Sequence, residues 1–346
     1  MSAAPLVSII IPTVRRPGPF GCAAASALAQ DVTGVAVELV IVDNDPLASA
    51  RAQVAALSAR ATFPVRYIHA PLPGVANARN AGVSASTGAF IAFLDDDEIA
   101  PEGWLKALLV QQRQFDADAV FGPVRTRLPD GTLAWPEYFA MFFARSGPEE
   151  ACAILDGPGC GCSLVRRDAL PHPTAPFAAE RNGIGGEDDL LFSTMKQAGA
   201  RFAWAPDAWV WEVPEPSRLT LRYTLRRAFA YGQGPCSTAA TRGAMRWPVI
   251  PLWMGVGALQ MLLYGGRAVV DWLTASPDLP FTLGRVAQGL GKIFWFAPFK
   301  IRFYGEAALK RADRPHGDRH ERHPDLDRVA DGGLQPRDPK LPAHAG

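Results

Sequence analysis

The stretch Phe90-Ile91-Ala92-Phe93-Leu94-Asp95-Asp96-Asp97-Glu98 decides how this chain is read. Five apolar residues in a row have the length of a strand buried on both faces. The three aspartates that follow repel one another, and adjacent acids of this kind most often hold a divalent cation. Were the strand to stay extended, Asp95 and Asp97 would point the same way and could share a cation or its ligand. A solvated acidic turn is the other reading of the triplet alone.

Working outward, strands and helices alternate. Residues 7–11 are a β-branched strand stopped by Pro12, and residues 23–30 a helix. Residues 37–42 are a second strand ending at Asp43-Asn44-Asp45, followed by a helix over 48–59 and a short strand over 65–68. A helix over 75–85, the strand quoted above, a helix over 102–115 and a fifth strand over 119–124 complete the series. Such alternation predicts an α/β fold with a mainly parallel central sheet flanked by helices. Ligands of such sheets bind beyond the carboxyl ends of the strands, where Pro12-Thr13, Asp43-Asn44 and the aspartate triplet would meet. Pro12-Thr13-Val14-Arg15-Arg16 stands where a glycine fingerprint would follow the first strand, which argues against a dinucleotide site or a P-loop. Arg15 and Arg16 read as phosphate contacts or as a solvated loop pair. Arg79 reads as a partner for a nucleotide or for the acids, or as a surface charge.

Farther on, Gly157-Pro158-Gly159-Cys160-Gly161-Cys162-Ser163 is either a close backbone approach to a ligand or a tight turn. Gly185-Gly186-Glu187-Asp188-Asp189 opens an amphipathic run closed by Gly199, which predicts a helix with acids at its N-terminus. The helix dipole accounts for those acids, and so does a general base at the mouth of a cleft. Residues 204–211 read as one more strand.

Of the 346 residues, 48% are apolar, enough for a sizeable core, and the net charge of +1 argues against nucleic acid as a main partner. Five scattered cysteines fit a reducing compartment better than a disulfide framework, and Cys160-Gly161-Cys162 has no second pair to complete a zinc site. No secretory signal is visible at the N-terminus. Arg218, Arg222, Arg226 and Arg227 recur at helical spacing. The twenty residues 247–266 then carry no charge, long enough to span a bilayer, although two prolines and four glycines suit a re-entrant or interfacial segment equally. Residues 281–303 form a second apolar stretch whose Arg285, Lys292 and Lys300 suit the headgroup region. A buried helical hairpin is the soluble alternative. From Arg311 the chain is charged and rich in proline and glycine, the composition of a disordered tail, with four of the six histidines (His316, His320, His323 and His344).

Five motifs in order resemble the family 2 glycosyltransferases of the GT-A fold. They are Val7-Ser8-Ile9-Ile10-Ile11-Pro12-Thr13, Ile41-Val42-Asp43-Asn44, Ala78-Arg79-Asn80-Ala81-Gly82, Phe93-Leu94-Asp95-Asp96-Asp97 and Gly185-Gly186-Glu187-Asp188. Val42-Asp43-Asn44-Asp45-Pro46 and Phe93 through Glu98 also resemble bacterial exopolysaccharide glucosyltransferases of the succinoglycan type. The resemblance implies an inverting transferase that moves a sugar from a nucleotide-sugar, with UDP-sugar expected, to an acceptor. Pro12 and Thr13 would line the nucleotide pocket, Asp43 would hold the base, and Arg79, Asp95 and Asp96 would face the nucleotide-sugar. Asp97, with Asp95, would bind Mn2+ or Mg2+, Asp188 would be the catalytic base, and Glu187 would contact the acceptor.

Where many relatives carry a histidine, this chain reads Val210-Trp211-Glu212, so Glu212 is either a substitute metal ligand or a surface acid. The Gln-x-x-Arg-Trp signature of processive relatives is absent, which implies single transfers. The expected organisation is a GT-A catalytic domain over 1–215, with a nucleotide half (1–125) and an acceptor half (126–215). A membrane-associating helical region (216–310) and the tail (311–346) follow. The apolar region implies a polyisoprenyl lipid-linked saccharide acceptor at the cytoplasmic face of a bacterial inner membrane. A nucleotidyltransferase making an activated sugar and a catalytically silent GT-A-like scaffold are the alternatives.

Overall fold

The computed structural model describes residues 6–131, 133–183, 185–241 and 248–301; the tail from Arg311 and its histidines lie outside them. In chain order the elements begin with β1 (Leu6–Thr13), α1 (Pro17–Leu28), β2 (Ala36–Asp43), α2 (Arg51–Ser58), β3 (Val65–His69) and α3 (Val75–Ala85). Next come β4 (Phe90–Phe93), β5 (Glu98–Ile99), α4 (Trp104–Phe115), β6 (Ala119–Phe121), β7 (Val124–Thr126) and α5 (Pro136–Phe143). β8 (Cys152–Ile154), β9 (Ser163–Arg166), α6 (Glu187–Gln197), β10 (Phe202–Trp204) and β11 (Val210–Glu212) complete the α/β part. Three helices close the described chain: α7 (Leu221–Thr241), α8 (Val249–Leu273) and α9 (Leu279–Ile293).

Eight strands form the central sheet in the order β3-β2-β1-β4-β9-β6-β10-β8, and β5-β11-β7 form a second, small sheet. β3, β2, β1 and β4 run parallel, as the βα alternation requires. β9 enters between β4 and β6 antiparallel to both, and β8 closes the far edge antiparallel to β10. The sheet is therefore parallel in its N-terminal half and mixed beyond it.

Period-two alternation sorts the core. Val7, Ile9 and Ile11 of β1 pack with Ala23, Ala27, Leu105 and Leu108 of α1 and α4 on one face. Ile10 packs with Ala78 and Val83 of α3 and with Leu191 and Met195 of α6 on the other. The core also holds one polar station. The buried Glu38 carboxylate accepts hydrogen bonds from Ser8 Oγ (2.6 Å), the Thr87 amide (2.6 Å) and Arg66 (3.4 Å), joining β1, β2 and the loop before β4.

Several boundaries differ from the sequence reading. β1 runs through Pro12 to Thr13, because β4 leaves its side of β1 after the pair Ile10–Phe93, where an imino nitrogen removes no ladder donor. α1 starts six residues earlier than expected, at Pro17, a residue preset for a first helical turn. Gly122-Pro123 cuts the expected strand over 119–124 into β6 of the large sheet and β7 of the small one. The expected strand over 204–211 likewise divides, with β10 and β11 in different sheets. β9 directly follows the glycine-rich turn, where the sequence pattern announces no strand.

Among the described residues, α8 alone is long and apolar enough to cross a membrane, with a mean hydropathy of 1.4 over its most apolar window and 11% of that window buried. α9 packs against α8 through backbone. A Cβ on Gly257 would fall 2.7 Å from the Gly289 carbonyl oxygen, and one on Gly289 equally close to that of Gly257. Gly232 and Gly291 serve the α7–α9 contact in the same way. Small residues at such crossings let helices associate without a wide apolar seam, as they do in lipid.

Candidate active site

β4 ends at Phe93, so the aspartates lie in a turn rather than on an extended strand. The Asp95 amide donates to Glu98 Oε2 (2.9 Å) and the Glu98 amide to the Asp95 carbonyl (3.0 Å), closing the turn on itself. The period-two argument for a shared face of Asp95 and Asp97 does not apply there. Each acid has its own partners. Asp95 accepts from Arg79 (2.9 Å), and the buried Asp96 accepts from Thr13 Oγ1 (2.9 Å) and from Arg16. Asp97 Oδ2 accepts from Arg218 Nη1 (2.7 Å) and Arg16 Nη2 (3.2 Å). The Asp97 carbonyl receives the Val213 amide (2.9 Å), which fastens the triplet to the end of β11.

β11 pairs antiparallel with β5 so that Glu212 stands opposite Glu98. Glu212 accepts from Arg218 Nη2 at 3.2 Å. Burial, and then the charge of Asp97, push the Glu212 carboxyl up to about 8 against the pull of Arg218. Glu98 is driven well above the carboxylate range by burial and by Asp95. Burial also raises Asp96 to about 6 against the opposing charge of Arg16. Burial works the same way on Asp97, but Arg16 and Arg218 overcome it and hold that group below its ordinary value.

The second acidic cluster opens α6, where Gly186 takes a left-handed conformation (φ 79°) and Glu187 to Asp189 fill the first turn. Arg79 of α3 connects the two clusters, with Nη2 on Asp95 and Nη1 on Glu187 (2.5 Å) and its guanidinium over the Phe177 ring. Asp188 is half-buried and accepts the Cys160 amide (3.3 Å). The turn over residues 157–162 thus lies between the clusters, and its glycines make room for them. A Cβ at Gly161 would fall 2.5 Å from Glu98 Oε1 and 2.9 Å from Asp95 Oδ2. One at Gly159 (φ 137°) would fall 3.2 Å from Arg145 Nη1 and 3.4 Å from Asp188 Oδ2.

The remaining expected residues lie on the same rim. Pro12 is half-buried near the end of β1, and Thr13 reaches the triplet. Asp43, fully buried at the end of β2, accepts the amides of Asp45 (3.0 Å) and Ala50 (2.8 Å) and the Tyr67 hydroxyl (2.9 Å). Its neighbour Asn44 accepts the Gly74 amide (2.8 Å) and so seats the start of α3, the helix that carries Arg79. Sequence reading missed Glu98 and Arg145 as site residues, treated Arg218 only as part of a basic helix, and left Arg16 open. The one available signal was that an excess of acids needs buried cations beside it.

Residues 8–172 match the sequence profile of glycosyl transferase family 2. That region is a family 2 glycosyl transferase domain. The chain is 36% identical over 198 residues to the succinoglycan biosynthesis protein ExoM of Rhizobium meliloti (strain 1021), covering 57% of this chain and 63% of that protein. It is 28% identical over 221 residues to the pre-mycofactocin glycosyltransferase of Mycobacterium tuberculosis (strain CDC 1551 / Oshkosh), covering 58% of this chain and 45% of the relative. The match thus spans less than two thirds of either relative. Among solved structures, S. aureus TarS 1-349 aligns over 83% of this chain and 89% of its own with a TM-score of 0.46 and 16% identity. The mixed α/β architecture, the central sheet and the apolar C-terminal helix agree with the expected GT-A class.

Members of this family commonly use a divalent metal, and the chemistry of the acids fits one. Asp95, Asp97, Glu98 and Glu212 offer only hard oxygen donors, which suit Mg2+ or Mn2+. Burial first, and then the charges of Asp95 and Asp97, raise Glu98 and Glu212. Among the described residues no three acids, histidines or cysteines close into a ready ligand set; arginines engage Asp95, Asp97 and Glu212.

Proposed function

We propose that the chain is a metal-dependent, inverting glycosyltransferase that moves one sugar from a nucleotide-diphospho-sugar, with UDP-sugar the first candidate, to a lipid-linked saccharide. The observation that carries this reading is the meeting of the two acidic clusters, with Arg79 bridging Asp95 to Glu187 and the Cys160 amide of the glycine turn on Asp188. In the proposed reaction the acceptor hydroxyl oxygen attacks the anomeric carbon while the bond to the diphosphate breaks and its electron pair leaves with the diphosphate. Asp188 takes the hydroxyl proton, which makes a weak nucleophile competent. Attack opposite the leaving group inverts the anomeric centre. A divalent cation, when bound, neutralises charge developing on the leaving diphosphate, and Asp97, Asp95 and Glu212 are the residues that would hold it. Glu187, fixed by Arg79, orients the acceptor side, and the Pro12-Thr13 and Asp43 rim faces the nucleotide.

Residues 1–215 would form the catalytic domain, with donor (1–125) and acceptor (126–215) halves, and residues 216–310 a membrane-associating region. The exposed apolar side chains of α8, among them Leu259, Leu262 and Leu263, support a lipid environment. The proposed acceptor is a polyisoprenyl-carried saccharide at the cytoplasmic face of an inner membrane, a reading that the apolar surface of α8 supports. Similarity to a succinoglycan biosynthesis protein supports a role in exopolysaccharide or surface-glycan assembly.

The test is release of nucleoside diphosphate from a panel of UDP-, GDP- and dTDP-sugars by detergent-solubilised protein with a lipid-linked saccharide extract, with and without Mn2+. Metal-dependent turnover of one donor, lost in Asp97→Ala, is the expected result. Nucleotide binding without turnover of any donor would favour a silent scaffold.

A further inference from the structure

Arg218 follows β11, in the short 3-10 helix Pro216–Arg218, and reaches back to both Asp97 and Glu212. Its guanidinium lies beside two aromatic rings, 5.0 Å from the Phe143 centroid and 5.6 Å from that of Tyr223, and its Nε donates to the Tyr223 hydroxyl (3.2 Å). Phe143 and Tyr223 lie nearly parallel, 19° apart. The Nε end is thus anchored, while the two Nη groups are free to exchange one set of oxygen acceptors for another. Arg16, from the loop after β1, converges on the same Asp97 Oδ2.

A divalent cation on Asp97 and the Arg218 guanidinium would stand within a few ångströms of each other, and like charges at that range repel strongly in a buried site. A diphosphate beside the metal supplies the acceptor oxygens a planar guanidinium fits best. We propose that Arg218 is a diphosphate-binding residue that competes with the metal for Asp97 and Glu212. The nucleoside diphosphate resolves that competition by taking the guanidinium. Metal and nucleotide then bind cooperatively, and Arg218 carries part of the coupling. The inference rests on the metal and nucleotide sites of the proposed function and adds a residue and a binding order to them.

The test follows Mn2+ binding to the full-length, detergent-solubilised protein by the electron paramagnetic resonance signal of free Mn2+. It is run alone and with saturating UDP, GDP or dTDP, on wild type, Arg218→Gln, Arg218→Lys and Asp97→Asn. Removing the internal competitor makes Mn2+ alone bind about tenfold tighter in R218Q, the size of one charge-assisted hydrogen bond. The factor by which nucleotide tightens Mn2+ falls by about tenfold in the same variant, and R218K, which keeps the charge, lies between. Weaker or unchanged Mn2+ affinity in R218Q, or undiminished coupling, overturns the inference while leaving the transferase reading standing. Failure of wild type to bind Mn2+ with any of the three nucleotides, or equal binding by D97N, overturns both.

Discussion

Replacing Arg79 with methionine tests the link between the two acidic clusters. Arg79 is 5% exposed and Glu187 4%, whereas the Asp95 side chain keeps 35% of its exposure. In Arg79→Met, Asp95 can turn to water, but Glu187 is left as a buried carboxyl that must take up a proton. With an unfolded value of about 4.3, holding it protonated costs up to about 4 kcal/mol at pH 7 and about 1 kcal/mol at pH 5. Loss of the buried guanidinium relieves its own desolvation cost, which brings the net destabilisation at pH 7 to about 2–4 kcal/mol. Thermal unfolding of the detergent-solubilised chain should show Tm falling by roughly 3–6 °C at pH 7. The fall should be less than half as large at pH 5, and R79M/E187Q should recover most of it. An equal fall at both pH values, or no recovery in the double variant, would refute the reasoning.

Glu38 gives a second pH prediction. Burial favours its protonation, but Ser8, both Thr87 donors and Arg66 outweigh burial and hold the carboxyl below its ordinary value. A folded value below the unfolded one of about 4.3 means the stabilisation is complete above that pH and is lost as pH falls through the folded value. Glu38→Gln should therefore lower stability by about 1–3 kcal/mol at pH 7 in denaturant titration, and the gap from wild type should close in acid. Gly161→Ala sets a methyl against Glu98 and Asp95 and should cut turnover about tenfold or more, measured as nucleotide release, because the triplet must shift. Leu259→Lys with Leu262→Lys, at positions 58% and 69% exposed on α8, should lower partition into lipid vesicles by about tenfold or more in flotation. Unchanged flotation would speak against α8 as the lipid contact.

The N-terminal half was legible because its signals are local. β-branched runs and their polar ends mark β1, β2 and β4, and Pro12-Thr13 and Asp43-Asn44 stand on the expected rim. Misreadings came where tertiary pairing decides. Gly122-Pro123 sends one apolar run into two sheets, and the strand expected over 204–211 divides for the same reason. β9, four residues long, is defined by partners on both sides rather than by its own pattern. The two acidic clusters were visible as acids, but their connection through Arg79 spans 108 positions between α3 and α6. Arg16 and Arg218 reach Asp97 from positions 81 and 121 residues away. No periodicity announces contacts of that kind.

The proposed role of Asp188 as acceptor of the hydroxyl proton is tested most directly by transfer of labelled sugar from the best donor to the lipid extract by Asp188→Ala, with nucleoside diphosphate affinity measured on the same preparation. Turnover should fall by about 10²–10⁴-fold with nucleotide affinity near that of wild type. Turnover within about threefold of wild type would contradict that role, since loss of a general base costs far more than that.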